Sequence, residues 1–129
     1  MSNTIHEEIT FQSTPDRIYH VLTDSKQFSE MSGGAPTDIH NEAGGSFSCF
    51  GGMITGRMIE LVPNERVVQA WRAGNWDPGV YSIAKFELQQ KGSETILTFD
   101  HTGFPEGQGE HLKGGWTENY WSPLKAFLG

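Results

Sequence analysis

The chain has 129 residues, enough for one domain with one core over positions 1–129, and 36% of it is hydrophobic, with 8 Phe, 4 Trp and 3 Tyr. Its 9 basic and 16 acidic side chains give a formal charge of −7, which repels phosphate backbones and anionic lipid, so neither nucleic acid nor a membrane surface is an expected partner. The single cysteine, Cys49, excludes an intramolecular disulfide; with no basic-then-apolar leader from Met1 to His6 and no apolar run of bilayer length, the expected setting is cytoplasmic.

Thr4 to Phe11 alternates, with Ile5, Ile9 and Phe11 on one face beside Glu7, and His6, Glu8 and Thr10 on the other. That is the pattern of a half-buried strand. Thr14 and Pro15 then mark a helix start, with Thr14 as N-cap and Pro15 preset at the first helical position. Ile18, Val21 and Leu22 form the apolar stripe of this short helix. A second short helix over Lys26 to Met31 stops at Gly33-Gly34.

The next sixty residues have the pattern of strands. Ser46 to Phe50 is a short one, followed by a tight turn at Gly51-Gly52 that needs positive φ. Met53 to Val62 is longer and stops at Pro63-Asn64. Arg66 to Arg72 alternates around Val67, Gln69 and Trp71, and Asp77-Pro78-Gly79 marks another turn. Tyr81 to Leu88 and Thr95 to His101 pair through a turn at Lys91-Gly92-Ser93. Beyond them the period changes. Leu112, Trp116, Tyr120, Leu124 and Phe127 recur three or four apart, the stripe of a long helix, which Pro123 should interrupt near Asn119. Trp121 falls off this stripe, which points it to the first helices or to partial exposure.

The expected order is strand, two short helices, five strands, long helix. This is an α+β fold in which a curved antiparallel sheet of six strands wraps the C-terminal helix. A sheet with one face to cover can bury it under a single helix, and curvature tends to leave a space between the two.

Several segments resemble one family. Gly56-Arg-Met-Ile-Glu-Leu-Val-Pro63 is followed by Glu65-Arg-Val-Val-Gln-Ala-Trp-Arg72, and this strand pair is similar to the signature of the homologues of the heat-shock-protein-90 ATPase activator. Thr14-Pro15-Asp16-Arg17-Ile18-Tyr19, Gly44-Gly45-Ser46-Phe47, Gly103-Phe104-Pro105 and Gly115-Trp116 follow in the family's order. The resemblance covers about Ile5 to Phe127. It implies the helix-grip, START-like fold of the activator's C-terminal domain, shared by plant allergens, polyketide cyclases and lipid-transfer domains. It also implies a possible chaperone partner, expected to be weak. The eukaryotic activators carry an N-terminal domain that makes the main chaperone contact, and nothing before Thr4 corresponds to it.

The candidate ligand-binding residues are Trp71, Phe86, Phe99, His101, Trp116 and Tyr120, which alternation and helical spacing turn toward the space between sheet and helix, with Trp76 in a loop at its mouth. The same aromatic residues would equally serve as plain core. His101 shares a face with Leu97 and Phe99; it either meets a ligand or acts as a general base, or it is satisfied by backbone or Glu110. Trp76 is either a lid or a cover over the core edge. The five histidines have no metal-ligand spacing, so no metal or other cofactor is expected. There is no phosphate loop and no Gly-x-Ser-x-Gly elbow, so no catalytic set can be named. Cys49 reads as a buried, inert thiol. The expected function is non-enzymatic binding of a small apolar or amphipathic molecule. A co-chaperone or regulatory interaction domain is the alternative, and a cyclase- or hydrolase-type enzyme ranks third.

Overall fold

A computed structural model describes residues 4–128. Its strands form one antiparallel sheet in the order β1-β7-β6-β5-β4-β3-β2. The elements are β1 (Thr4–Phe11), α1 (Pro15–Thr23), α2 (Ser25–Met31), β2 (Asp38–Ile39), β3 (Ser46–Cys49), β4 (Ile54–Val62), β5 (Arg66–Ala73), β6 (Ser82–Lys91), β7 (Glu94–Thr102), α3 (Gly109–Trp116) and α4 (Ser122–Leu128). This is the α+β helix-grip arrangement, with seven described strands where six were expected. The seventh, β2, has only two residues, too short to show a hydrophobic period; its pairing of Asp38 with Ser48 and Ile39 with Phe47 defines it.

Local chemistry explains most element boundaries. Ile5, Ile9 and Phe11 are buried on the inner face of β1. Thr14 has the extended backbone of an N-cap, but its hydroxyl makes no capping bond and interacts instead with the Asp16 carboxylate, holding that carboxyl below its ordinary range. The better cap was missed in the sequence. The Asp24 carboxylate accepts from Gln27 N at 2.9 Å and starts α2 one residue earlier than expected, at Ser25. Strand β3 ends at Cys49 rather than Phe50. Residues Phe50–Gly52 form a 3-10 turn in which Phe50 (φ 54°), Gly51 (φ 68°) and Gly52 (φ 95°) all have left-handed backbone. Two glycines tolerate this without cost, whereas Phe50 is strained.

The C-terminal helix is interrupted where Pro123 requires. Proline has no N–H, and its ring crowds the carbonyl four residues back, at Asn119. The chain answers with a π turn over Thr117–Trp121 between α3 and α4. The extra residue changes which side chains share a face. In an α-helix Trp116 and Trp121 would lie about 140° apart around the axis. Across the π turn their rings stack, with centroids 5.7 Å apart and planes at 20°. Trp121 is therefore buried rather than in solvent, its ring 5.0 Å from Phe99 and 6.3 Å from Phe86 of the sheet. Its Nε1–H donates to Glu7 Oε1 at 3.1 Å, which accounts for a carboxylate on the inner face of β1.

Candidate functional site

Strands β5, β6 and β7 place Trp71, Phe86, Phe99 and His101 in a patch on the concave face, and α3 lays Trp116 over it. Trp116 lies 4.3 Å from Phe99, 5.2 Å from Trp71 and 5.4 Å from His101, ring centre to ring centre. Phe86 and Phe99 face each other in register, 5.1 Å apart. Burying each such ring contributes about 2 kcal/mol, and the tilted and edge-on geometries add to that.

His101 is the one histidine inside this patch, and it is fully buried. Trp116 Nε1–H donates to His101 Nδ1 at 2.9 Å. An indole nitrogen can only donate, so Nδ1 carries the lone pair and the proton of the neutral ring sits on Nε2. Nε2–H then donates to Ser82 Oγ at 2.6 Å, and the Ser82 hydroxyl donates onward to Trp71 O at 3.0 Å. Each polar atom in the chain has a partner. Burial lowers the His101 pKa to about 4, which keeps the ring neutral. Its partners are Ser82 and Trp116 rather than Glu110, and neither nitrogen is free to accept a proton from a substrate.

The open space lies beside this patch. A cleft of about 690 Å³ runs between α3, the turn at Phe50–Gly52 and the loop after β5. Trp71, Trp76, Trp116 and Tyr120 line it; Phe86, Phe99 and His101 do not, being packed beneath Trp116. Its side walls are Phe50 and Leu112. Phe50 is held there by its strained backbone and by edge-on contacts with Phe28 and Tyr120, at 5.5 and 5.6 Å. Gly115 of α3 faces the cleft, and a Cβ built on it would meet only Asn119 Nδ2, at 3.8 Å. The absence of a side chain there leaves room.

Trp76 is folded down, its ring 5.6 Å from Trp71, and it forms part of the cleft wall. The loop that carries it is fixed by Arg72. One guanidinium nitrogen donates to Asp77 O and Val80 O, and another to Trp76 O at 2.9 Å. Nothing in the sequence marked Arg72 for this role, because backbone acceptors leave no residue signature. Phe50, Leu112 and Gly115 were missed as wall residues because only their tertiary placement makes them walls.

One buried polar atom in the cleft wall lacks a partner. Trp71 Nε1 is buried and has no hydrogen-bond acceptor. The Tyr120 hydroxyl interacts with it, but in a contact too loose to satisfy the indole. Burial first, and nearby Cys49 second, push the Tyr120 pKa well above its ordinary value, so the phenol stays protonated. Burial also pushes the Cys49 thiol up to about 12, leaving it un-ionised and unreactive. Among the described residues no group of three or more His, Cys, Asp or Glu is placed to hold a metal ion. No described helix is long and apolar enough to cross a membrane.

Residues 12–129 match the family model described as "Activator of Hsp90 ATPase homolog 1-like protein". The chain belongs to that family. Among its relatives is the human activator of 90 kDa heat shock protein ATPase homolog 1, 28% identical over 120 residues that cover 93% of this chain and 35% of that protein. This family member spans about a third of the length of the curated relatives it matches. The crystal structure of PFC0360w, an HSP90 activator from Plasmodium falciparum, superposes with a TM-score of 0.93 at 25% identity, over 98% of this chain and 96% of that one. The Aha1 dimer from Colwellia psychrerythraea shares the fold, with a TM-score of 0.80 at 23% identity over 97% and 95% of the two chains.

Proposed function

We propose that this protein holds a small apolar or amphipathic molecule in the cleft between α3 and the Phe50–Gly52 turn. The observation that carries this reading is the cleft itself, of about 690 Å³ and walled by Trp71, Trp76, Trp116 and Tyr120. Its size is that of an ordinary small-molecule site, as is an aromatic lining with few polar groups. The sealed neutral His101 and the un-ionised Cys49 offer no base or nucleophile, which favours binding over catalysis.

Gly115 provides the test. Gly115→Leu puts a side chain where none is now, and its Cβ would meet only Asn119 Nδ2, at 3.8 Å. Native mass spectrometry of freshly purified protein should show a retained small molecule on the wild type and none on the variant. The variant should melt no lower, since leucine favours a helix over glycine by about 1 kcal/mol. An equal ligand load on both proteins, or none on either, would sink the reading.

A second reading is favoured by the likeness to PFC0360w, an HSP90 activator, along nearly the whole of both chains. On that reading the protein docks on a heat-shock-protein-90 chaperone in the cytoplasm. An ATPase assay with the chaperone of the same organism decides it. Saturable several-fold stimulation would put the co-chaperone role first, and no effect at excess protein would remove it.

A further inference from the structure

We infer that the ligand of this cleft is an uncharged molecule with an acceptor oxygen, which it presents to Tyr120 and Trp71. This rests on the binding reading above and adds the chemistry of the polar end. Two features of the wall carry it.

The first is the direction of the hydrogen bonds on offer. Trp71 Nε1–H is buried without an acceptor, and an indole nitrogen can only donate. The Tyr120 hydroxyl beside it is the group it can donate to. A phenol oxygen that accepts from Trp71 still has its own proton to donate, and Tyr120 is a lining residue of the cleft. The pair together lacks an acceptor, and a ketone, aldehyde, ether or alcohol oxygen supplies one. A buried donor without a partner is costly, so the wall binds best what relieves that cost.

The second is the charge of the wall. Among the described lining residues there is no Asp, Glu, Lys or Arg, and His111 is the one histidine, at the exposed rim. A carboxylate brought to Tyr120 would lose its hydration beside aromatic rings with no cation to offset the loss. Arg72 is the nearest strong cation in sequence to Trp71, and its guanidinium is committed to the carbonyls of Trp76, Asp77 and Val80. The cleft therefore discriminates against fatty-acid-like anions and for neutral carbonyl compounds.

Three probes of nearly equal size test this on the intact protein: acetylnaphthalene, ethylnaphthalene and naphthoate. Affinity is read by quenching of tryptophan fluorescence, and hydrogen bonding by the indole N–H resonances in nitrogen-15 spectra. Acetylnaphthalene should bind about tenfold tighter than ethylnaphthalene, the worth of one well-placed hydrogen bond, with naphthoate the weakest of the three. The Trp71 indole N–H should move on adding the ketone and not on adding the hydrocarbon. The Trp116 and Trp121 indoles, already donating to His101 and Glu7, should stay put. Tyr120→Phe and Trp71→Phe should each reduce the ketone's advantage to about twofold or less; should either fail to fold, the wild-type spectra decide. Equal binding of ketone and hydrocarbon, or tightest binding of naphthoate, overturns the inference while leaving a ligand cleft. Failure of all three probes at millimolar concentration overturns the binding reading and this inference with it.

Discussion

Two halves of one aromatic patch behave differently. Around His101 the rings of Phe86, Phe99 and Trp116 close on each other, and the polar chain from Trp116 through His101 and Ser82 to the Trp71 carbonyl is fully paired. One ring away, Trp71, Trp76 and Tyr120 border open space, and the Trp71 indole N–H has no acceptor. The residue types are nearly the same on both sides. What differs is whether each polar atom has found a partner within the protein. A paired histidine in such a patch supports structure, and an unpaired donor at the edge of a cleft is what a ligand can use.

This contrast predicts how each half responds to damage. The largest effect belongs to the sealed half. Phe99→Ala should destabilise the protein by about 4 kcal/mol in urea melts, because the surrounding rings cannot collapse into the hole. A loss below about 1 kcal/mol would mean that the packed half is as loose as the cleft.

Acid should act next, through His101. Its pKa is 6.5 in the unfolded chain and about 4 when folded. Between these values the unfolded chain takes up a proton that the folded chain refuses, so stability is held above pH 6.5 and lost as pH falls toward 4. The loss is on the order of 3 kcal/mol. His101→Gln should be less stable at pH 7 yet show a flatter decline below pH 6.5. A decline as steep as the wild type's would show that other groups cause it.

Trp76→Ala should cost less than either, about 1–2 kcal/mol, because its ring borders space that already exists. The smallest effect is expected at His6, which pairs with Asp100 on the exposed edge of the sheet at 2.5 Å. Its hydrogen bond to Asp100 raises its pKa. Any stability it adds is present below the ordinary histidine pKa and fades as pH rises, opposite in sign to His101. Comparing the pH profiles of His6→Ala and His101→Gln against the wild type would separate the two contributions.

Much of the fold could be read from residue order because the signals were local. The alternation of Ile5, Ile9 and Phe11, the Gly92-Ser93 turn and the Leu112 to Phe127 stripe each imply an element within a few residues of themselves. Glu7 was also legible as an oddity, a carboxylate on an apolar face, but its partner Trp121 lies 114 positions away. That partner was hidden because Pro123 forces a π turn, and the extra residue turns Trp121 onto the face that ordinary helical spacing denies it.

The cleft was legible only in part. Spacing brought out the aromatic residues of the patch, yet it had no means of dividing them into Trp71, Trp76, Trp116 and Tyr120 at the cleft and Phe86, Phe99 and His101 beneath. That division depends on where α3 sits above the sheet, on the strained Phe50 turn, on Arg72 pinning the Trp76 loop and on the missing side chain at Gly115. The order and class of the elements and the inward face of each strand follow from residue order, because backbone period and turn chemistry are local properties. Which inward residues touch one another and which touch open space is settled in three dimensions, by the relative placement of elements that pack from opposite ends of the chain.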